Sequence, residues 1–297
     1  MDNKNGHVSA TGTYADSMNA DQDLIRRLGH GLGLALGLFA IVGEIAREQA
    51  GKLIQMMAIV SAALIAAVRP SYWRRTIRNA FARAVLSSGV EAIGIVCFLG
   101  IALGVLLVVQ YQVWLASFVQ SLFLGPVFVA VILRELAPLL VNLVVIARSG
   151  GTMAAELALT HVSGEDRVAE GQGLDPLAFY VIPRVLALTL SVLCLTLICT
   201  ACSFLSVYFF GAWIDAKTGF LSDYTQATLN AISTVDVVNL LVKSTAPALL
   251  TGSICCAEGL GAGDTTAEVP RASRIAVQRS VIALFSANAM VSLATYS

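Results

Sequence analysis

The residues of this chain best suited to chemistry are charged side chains set in apolar sequence. Arg134 and Glu135 stand midway along the apolar stretch 122–147, Lys243 lies within 237–257, Glu91 opens 89–109, and Glu258 follows the fourth stretch. An ionisable group in lipid is costly, so such residues face a cavity, an opposite charge or a substrate. Neighbours on a helix point about 100° apart, so Arg134 and Glu135 cannot pair well with each other. They must meet other polar groups. Two readings fit: a salt-bridge network that locks a helix bundle, or a polar cavity the size of a lipid headgroup. Arg134, Glu135, Glu91 and Lys243 are the candidates to line such a cavity. Pro126 and Pro138 flank the charged pair and Pro247 interrupts the fourth stretch. Each proline frees a backbone carbonyl and permits a kink.

Catalytic motifs are sparse. No Gly-x-x-x-x-Gly-Lys-Ser/Thr phosphate loop occurs, so the chain is expected to hydrolyse no ATP alone and to be no enzyme. Gly259-Leu260-Gly261-Ala262-Gly263 follows an apolar helix rather than a strand, which argues against a nucleotide-binding turn. Cys199-Thr200-Ala201-Cys202 has the spacing of a metal half-site, but no second pair completes it. Neither a metal nor a cofactor is expected. The 19 basic residues balance the 19 acidic ones, which gives no reason to expect a nucleic-acid partner.

The elements that must position these residues are membrane helices. The chain is 57% hydrophobic and only 13% charged, about half the usual share of charge, and its mean hydropathy is +0.78. Too few charges remain to cover a soluble globule. Five stretches, 89–109, 122–147, 181–213, 237–257 and 275–296, are long enough to cross a bilayer. The third is too long for a perpendicular crossing and must tilt or protrude. The stretch 53–68 is shorter and runs into Arg69-Pro70 and Trp73-Arg74-Arg75, with Arg78 and Arg83 beyond. It suits a helix lying at the membrane interface. The expected fold is therefore all-α: five transmembrane helices preceded by an N-terminal interfacial helix. Its organisation is a polar tail with a short apolar segment over 1–49, interfacial helices over 50–84, and a five-span domain over 85–297. The connections 110–121 and 214–236 hold between them only Lys217, whereas the other flanks carry arginines. The positive-inside rule then sets a cytoplasmic N-terminus and an external C-terminus.

The connection after the second span is unusual. Gly150-Gly151 leads into Met153-Ala154-Ala155-Glu156-Leu157, and a polar segment with Glu165, Asp166, Arg167 and Glu170 ends at Asp175-Pro176. This reads either as a short cytoplasmic helix that docks a soluble partner or as a solvated loop.

These fragments, in order, resemble a known family. Arg134-Glu135-Leu136-x-Pro138, Arg148, Met153 to Leu157, Gly173-x-Asp175-Pro176, Pro183-Arg184-Val185-Leu186-Ala187 and Val269-x-Arg271-Ala272-Ser273-x-x-Ala276-Val277 are similar to the MlaE/YrbE family of ABC-transporter permeases. The resemblance covers roughly 50–297. It implies a homodimeric permease in a bacterial inner membrane, with its C-terminus in the periplasm. It also implies a cytoplasmic ABC ATPase dimer and a periplasmic MCE-domain protein as partners, and membrane lipid or another hydrophobic molecule as cargo. Segment 162–176 would be the coupling element, with Glu165, Asp166, Arg167, Val168, Glu170 and Asp175 as candidate contacts to the ATPase. Arg134 and Glu135 would belong to a lipid-accessible cavity near the dimer axis. One segment departs: Gly164-Glu165-Asp166-Arg167-Val168-Ala169 stands where the family usually has Glu-Gln-Ile-Asp-Ala-Leu. Charge replaces an apolar anchor there, and Gly164, Gly171 and Gly173 would each weaken a helix by up to about 1 kcal/mol relative to alanine. The competing functions are a proton-coupled carrier and a membrane scaffold with a vestigial ATPase dock.

Overall fold

The computed structural model describes Gly51, Ile54 and residues 56–66, 75–110, 113, 124–173, 176–214, 220–263 and 265–296. Two compact units divide the chain, Met1–Ile54 and Gln55–Ser297, and almost all described residues belong to the second. The expected tail 1–49, the arginine-aromatic element at 69–74, Lys217 and Asp175 lie outside the described residues.

No strand occurs among the described residues, and the protein is an all-α membrane protein. Its helices are α1 (Met56–Ala66), α2 (Arg75–Ser88), α3 (Ile93–Gln110), α4 (Gly125–Val162), α5 (Glu165–Gly171), α6 (Ile182–Ile214), α7 (Phe220–Ala231), α8 (Thr234–Leu260) and α9 (Val269–Tyr296). Five helical stretches are long and apolar enough to cross a bilayer, in the five places expected: Ile77–Gln110, Gly125–Val162, Phe179–Trp213, Thr234–Leu260 and Thr266–Thr295. Phe98, Trp213, Ile282 and Met290 are all more than two-thirds exposed. Helices that are apolar inside and outside belong in lipid rather than water. Over its described residues α1 is too short to span.

Small residues let the helices approach. α3 lies against α6, and a Cβ added to Gly100 would sit 2.7 Å from the carbonyl oxygen of Cys199, one at Gly104 2.6 Å from that of Ser203. The Gly-x-x-x-Gly spacing puts both glycines on one face, the geometry by which small residues bring membrane helices together. Ser206 Oγ donates to the carbonyl of Ile101 at 2.9 Å across the same seam. Gly104→Ala is therefore expected to force α3 and α6 apart and destabilise the protein by about 1–3 kcal/mol, the usual cost of overpacking. Gly94→Ala, where a Cβ meets nothing within 4 Å, serves as the control. Equal unfolding temperatures for the two in detergent would refute the assignment.

Three features depart from the sequence reading. The second span does not end near Ala147: α4 runs on to Val162, because Met153, Ala154, Leu157 and Ala158 are helix formers that bury against α8 and α9. Arg134 and Glu135 therefore stand in the first third of a long helix rather than at its middle. The connection 214–236 contains α7, whose Tyr224 stacks on Phe204 with ring centroids 5.2 Å apart and meets Phe128 edge-on. Lastly, Gly164 and Gly173 bracket α5 rather than weaken its interior. Both hold positive φ, 75° and 76°, which glycine adopts without strain.

Candidate functional site

Two prolines and a polar stripe build the site where α4 meets α8. Pro138 has no N–H for the carbonyl of Arg134, and Lys243 Nζ donates to that carbonyl at 3.1 Å. Pro247 likewise cannot serve the carbonyl of Lys243. The side-chain amide of Asn142 reaches that oxygen at 3.5 Å while also donating to the carbonyl of Pro138 at 2.8 Å. The freed carbonyls have become partners of buried polar side chains. Around the pair, Val129–Leu136 winds as a π-helix, a distortion that often marks functional sites.

Each member of the adjacent pair has its own partner on α8. The Arg134 guanidinium forms an ion pair with Asp236, Nη2 donating to Oδ2 at 3.1 Å and Nε lying 2.6 Å from Oδ1. Lys243 Nζ meets Glu135 Oε1 at 2.5 Å, and Ser292 Oγ on α9 donates to the same carboxylate at 3.2 Å. Asp236 and Lys243 are seven positions apart, two helical turns, and so share a face of α8. Asp236 also accepts from the N–H and hydroxyl of Ser233, which caps α8 in a reciprocal capping box. Burial divides the four charges. Asp236 and Lys243 are 2% and 0% exposed, Arg134 and Glu135 31% and 43%. The partners on α8 lock the bundle, while those on α4 reach its surface.

Glu91 does not join them. It pairs with Arg148, which follows Arg134 on α4 by about 21 Å at 1.5 Å per residue. Glu258 pairs with Arg279 on α9, and Arg184 with Glu156 at 3.2 Å. These pairs gather at the arginine-rich end of the bundle. Cys199 is buried in the apolar core, and among the described residues no group of three His, Cys, Asp or Glu side chains could hold a metal.

α5 begins beyond the end of α4. Glu165, Arg167, Val168 and Glu170 are exposed on it, whereas Ala169 is buried and Asp166 half-buried. Asp166 Oδ2 lies 2.6 Å from His161 Nδ1, and its Oδ1 accepts from the N–H of Arg167 at 2.8 Å. Burial alone raises the carboxyl pKa, but the His161 hydrogen bond, the Arg167 N–H and the charges of both residues outweigh it. The carboxyl therefore stays below its ordinary value. Asp166 pins the helix to α4 instead of facing outward.

Residues 81–294, most of the chain, match the sequence model of the family described as Permease MlaE. The chain belongs to the MlaE permease family. A probable ABC transporter permease protein of Rickettsia typhi is 29% identical over 70% of this MlaE permease and 80% of its own length. The intermembrane phospholipid transport system permease protein MlaE of Haemophilus influenzae is 25% identical over 66% of this chain and 75% of its own. The chloroplastic trigalactosyldiacylglycerol 1 protein of Arabidopsis thaliana is 24% identical over 74% of this chain and 61% of its own.

Sequence reasoning about this MlaE permease missed Asp236, Asn142 and Ser292. Asp236 stands behind a serine and three residues into a helix, the position of an ordinary cap. Its spacing of seven from Lys243 was the available signal, since it places two opposite charges on one helical face toward an Arg-Glu pair.

Proposed function

We propose that this permease is the membrane subunit of an ATP-driven system that moves phospholipid or another hydrophobic molecule between a bacterial inner membrane and the outer envelope. The observation that carries the proposal is the division of burial in the charged cluster. Two charges sunk in the bundle hold Arg134 and Glu135 at its surface, where a guanidinium can grip a phosphate and a carboxylate can meet an amine. Lys243 belongs to this site as the buried holder of Glu135, and Glu91 stands apart from it. The comparison with the Haemophilus phospholipid permease supports a lipid cargo.

The positive-inside rule supports the orientation. Arg78, Arg83, Arg148, Arg184, Arg271 and Arg274 share one end of the bundle, and we assign that end to the cytoplasm. The polar segment 1–49 and the interfacial 50–84 then precede a five-span domain, 85–297, as a homodimer. α5, within 162–176, is the element on which an ABC ATPase dimer docks through Glu165, Arg167, Val168 and Glu170, and an MCE-domain protein acts from the periplasmic side.

The test uses the purified chain with and without its ATPase in proteoliposomes. The chain alone is expected to hydrolyse no ATP, and transfer of labelled phospholipid is expected to require the ATPase and ATP. Arg134→Lys keeps the charge beside Asp236 but loses the guanidinium fork. Transfer should fall roughly tenfold, about the worth of one charge-assisted hydrogen bond, with ATPase binding intact. Transfer driven by a proton gradient without ATP would favour a carrier, and ATPase binding without any transfer would favour a scaffold.

A further inference from the structure

At the arginine-rich end, α2, α4 and α6 enclose a cavity of about 690 Å³ that the charged cluster at Arg134 does not touch. Arg83, Arg148 and Arg184 line it, one from each helix, with the hydroxyls of Ser87, Thr152 and Tyr180. Two carboxylates also line it, Glu91 and Glu156, and each takes one terminal nitrogen of an arginine. The remaining terminal nitrogens, Nη1 of Arg148 and Nη1 of Arg184, are buried without a hydrogen-bond acceptor among the described residues. A buried N–H on a charged group is seldom left unmet, so two on arginines that line one cavity call for an acceptor that the described residues do not supply. Both arginine side chains remain about a quarter exposed, 27% and 25%, so a ligand can approach them without opening the bundle, and a small turn of each side chain would present its buried nitrogen. Arg83 is exposed and adds a third positive charge against the two carboxylates.

We propose that this cavity binds a phosphate group, held between Arg83, Arg148 and Arg184. Phosphate offers several oxygens to the three guanidinium groups that line the cavity, more than a single carboxylate supplies. Two sources could supply it: an anionic lipid headgroup or a soluble phosphate. Leu86 and Val90, both at least half exposed, adjoin the lining residues Ser87 and Glu91 and offer acyl chains a surface beside the cavity. Basic pockets between membrane helices bind anionic headgroups in this way.

The full chain in detergent would be titrated with short-chain phosphatidylglycerol, with an uncharged short-chain diacylglycerol and with inorganic phosphate, following the unfolding temperature. Phosphatidylglycerol is expected to raise it, diacylglycerol to leave it unchanged, and Arg83→Ala with Arg184→Gln to weaken the apparent affinity at least tenfold. Arg83→Ala alone should weaken it severalfold and change the ligand-free unfolding temperature little, since Arg83 is exposed and forms no ion pair among the described residues. An equal response to inorganic phosphate would identify soluble phosphate as the ligand. A response equally strong with diacylglycerol, or unchanged in the double variant, would overturn the proposal. So would a response lost in Arg134→Lys, which would put the lipid at the opposite end.

Discussion

Glu135→Ala should destabilise the protein by about 3 kcal/mol, and Lys243→Met by only about 1 kcal/mol, although the two side chains form one ion pair. Removing Glu135 takes away the carboxylate that faces the Lys243 ammonium at 0% exposure, while the Arg134 carbonyl stays as an acceptor. Stranding a buried charge is the expensive way to break such a pair, about 3–5 kcal/mol, and the lower end applies because Glu135 is itself 43% exposed. Removing Lys243 strands a carboxylate that keeps water and the Ser292 hydroxyl, and methionine refills most of the volume. The double variant Glu135→Gln with Lys243→Met should therefore be more stable than Glu135→Gln alone. Thermal unfolding in one detergent of the wild type, Glu135→Gln, Lys243→Met and the double variant closes the cycle, with Glu135→Ala measured beside them. Equal losses for the two single variants would mean that the charge on α8 is not the buried member.

Arg134→Ala carries the same difficulty. Asp236 is 2% exposed, so its loss of the guanidinium conflates folding with transport, and Arg134→Lys separates the two.

How far the sequence discloses this arrangement depends on what each signal reports. The five spans are legible because a stretch of apolar residues in lipid has one outcome, a helix. The second span's far end is not, since Arg148 and Gly150-Gly151 read as a terminus. The helix continues because Arg148 pairs with Glu91 on the preceding span and Leu157 finds a buried place, and neither is visible locally. α7 is hidden for a related reason: Asp223, Thr225, Gln226 and Asn230 make it look like a connector, while Tyr224 fastens it to a ring cluster assembled from two other helices. The charged site was legible on α4, where Arg134 and Glu135 stand out against apolar neighbours. Its counterpart was half-legible. Lys243 stands out inside a span, but Asp236 sits where capping explains it fully, and only the packed helices show that it does both.

The coupling segment separates what is exposed from what is anchored, and the second large effect follows from that division. If α5 docks an ATPase, Arg167→Glu should weaken the complex about tenfold at 0.1 M salt, because it reverses a charge on the outward face. Val168→Ala should weaken it about threefold, since Val168 is already 61% exposed and loses only two methyl groups of contact. The difference should shrink at 1 M salt, where the screening length falls from about 10 Å to about 3 Å. Asp166→Asn should behave otherwise. Its carboxylate faces His161 and not the partner, so its effect should come through a loosened α5 and persist at high salt. The same logic sets its pH dependence. A carboxyl whose folded pKa is lowered stabilises the fold above its unfolded value, and that contribution is lost as pH falls through the lowered one. At neutral pH the Asp166 carboxyl is therefore ionised, and a salt series held there does not change its charge. Complex recovery and lipid-stimulated ATP hydrolysis for the three variants across that series measure all of this. If Arg167→Glu leaves binding unchanged at low salt, the ATPase contact lies off this helix.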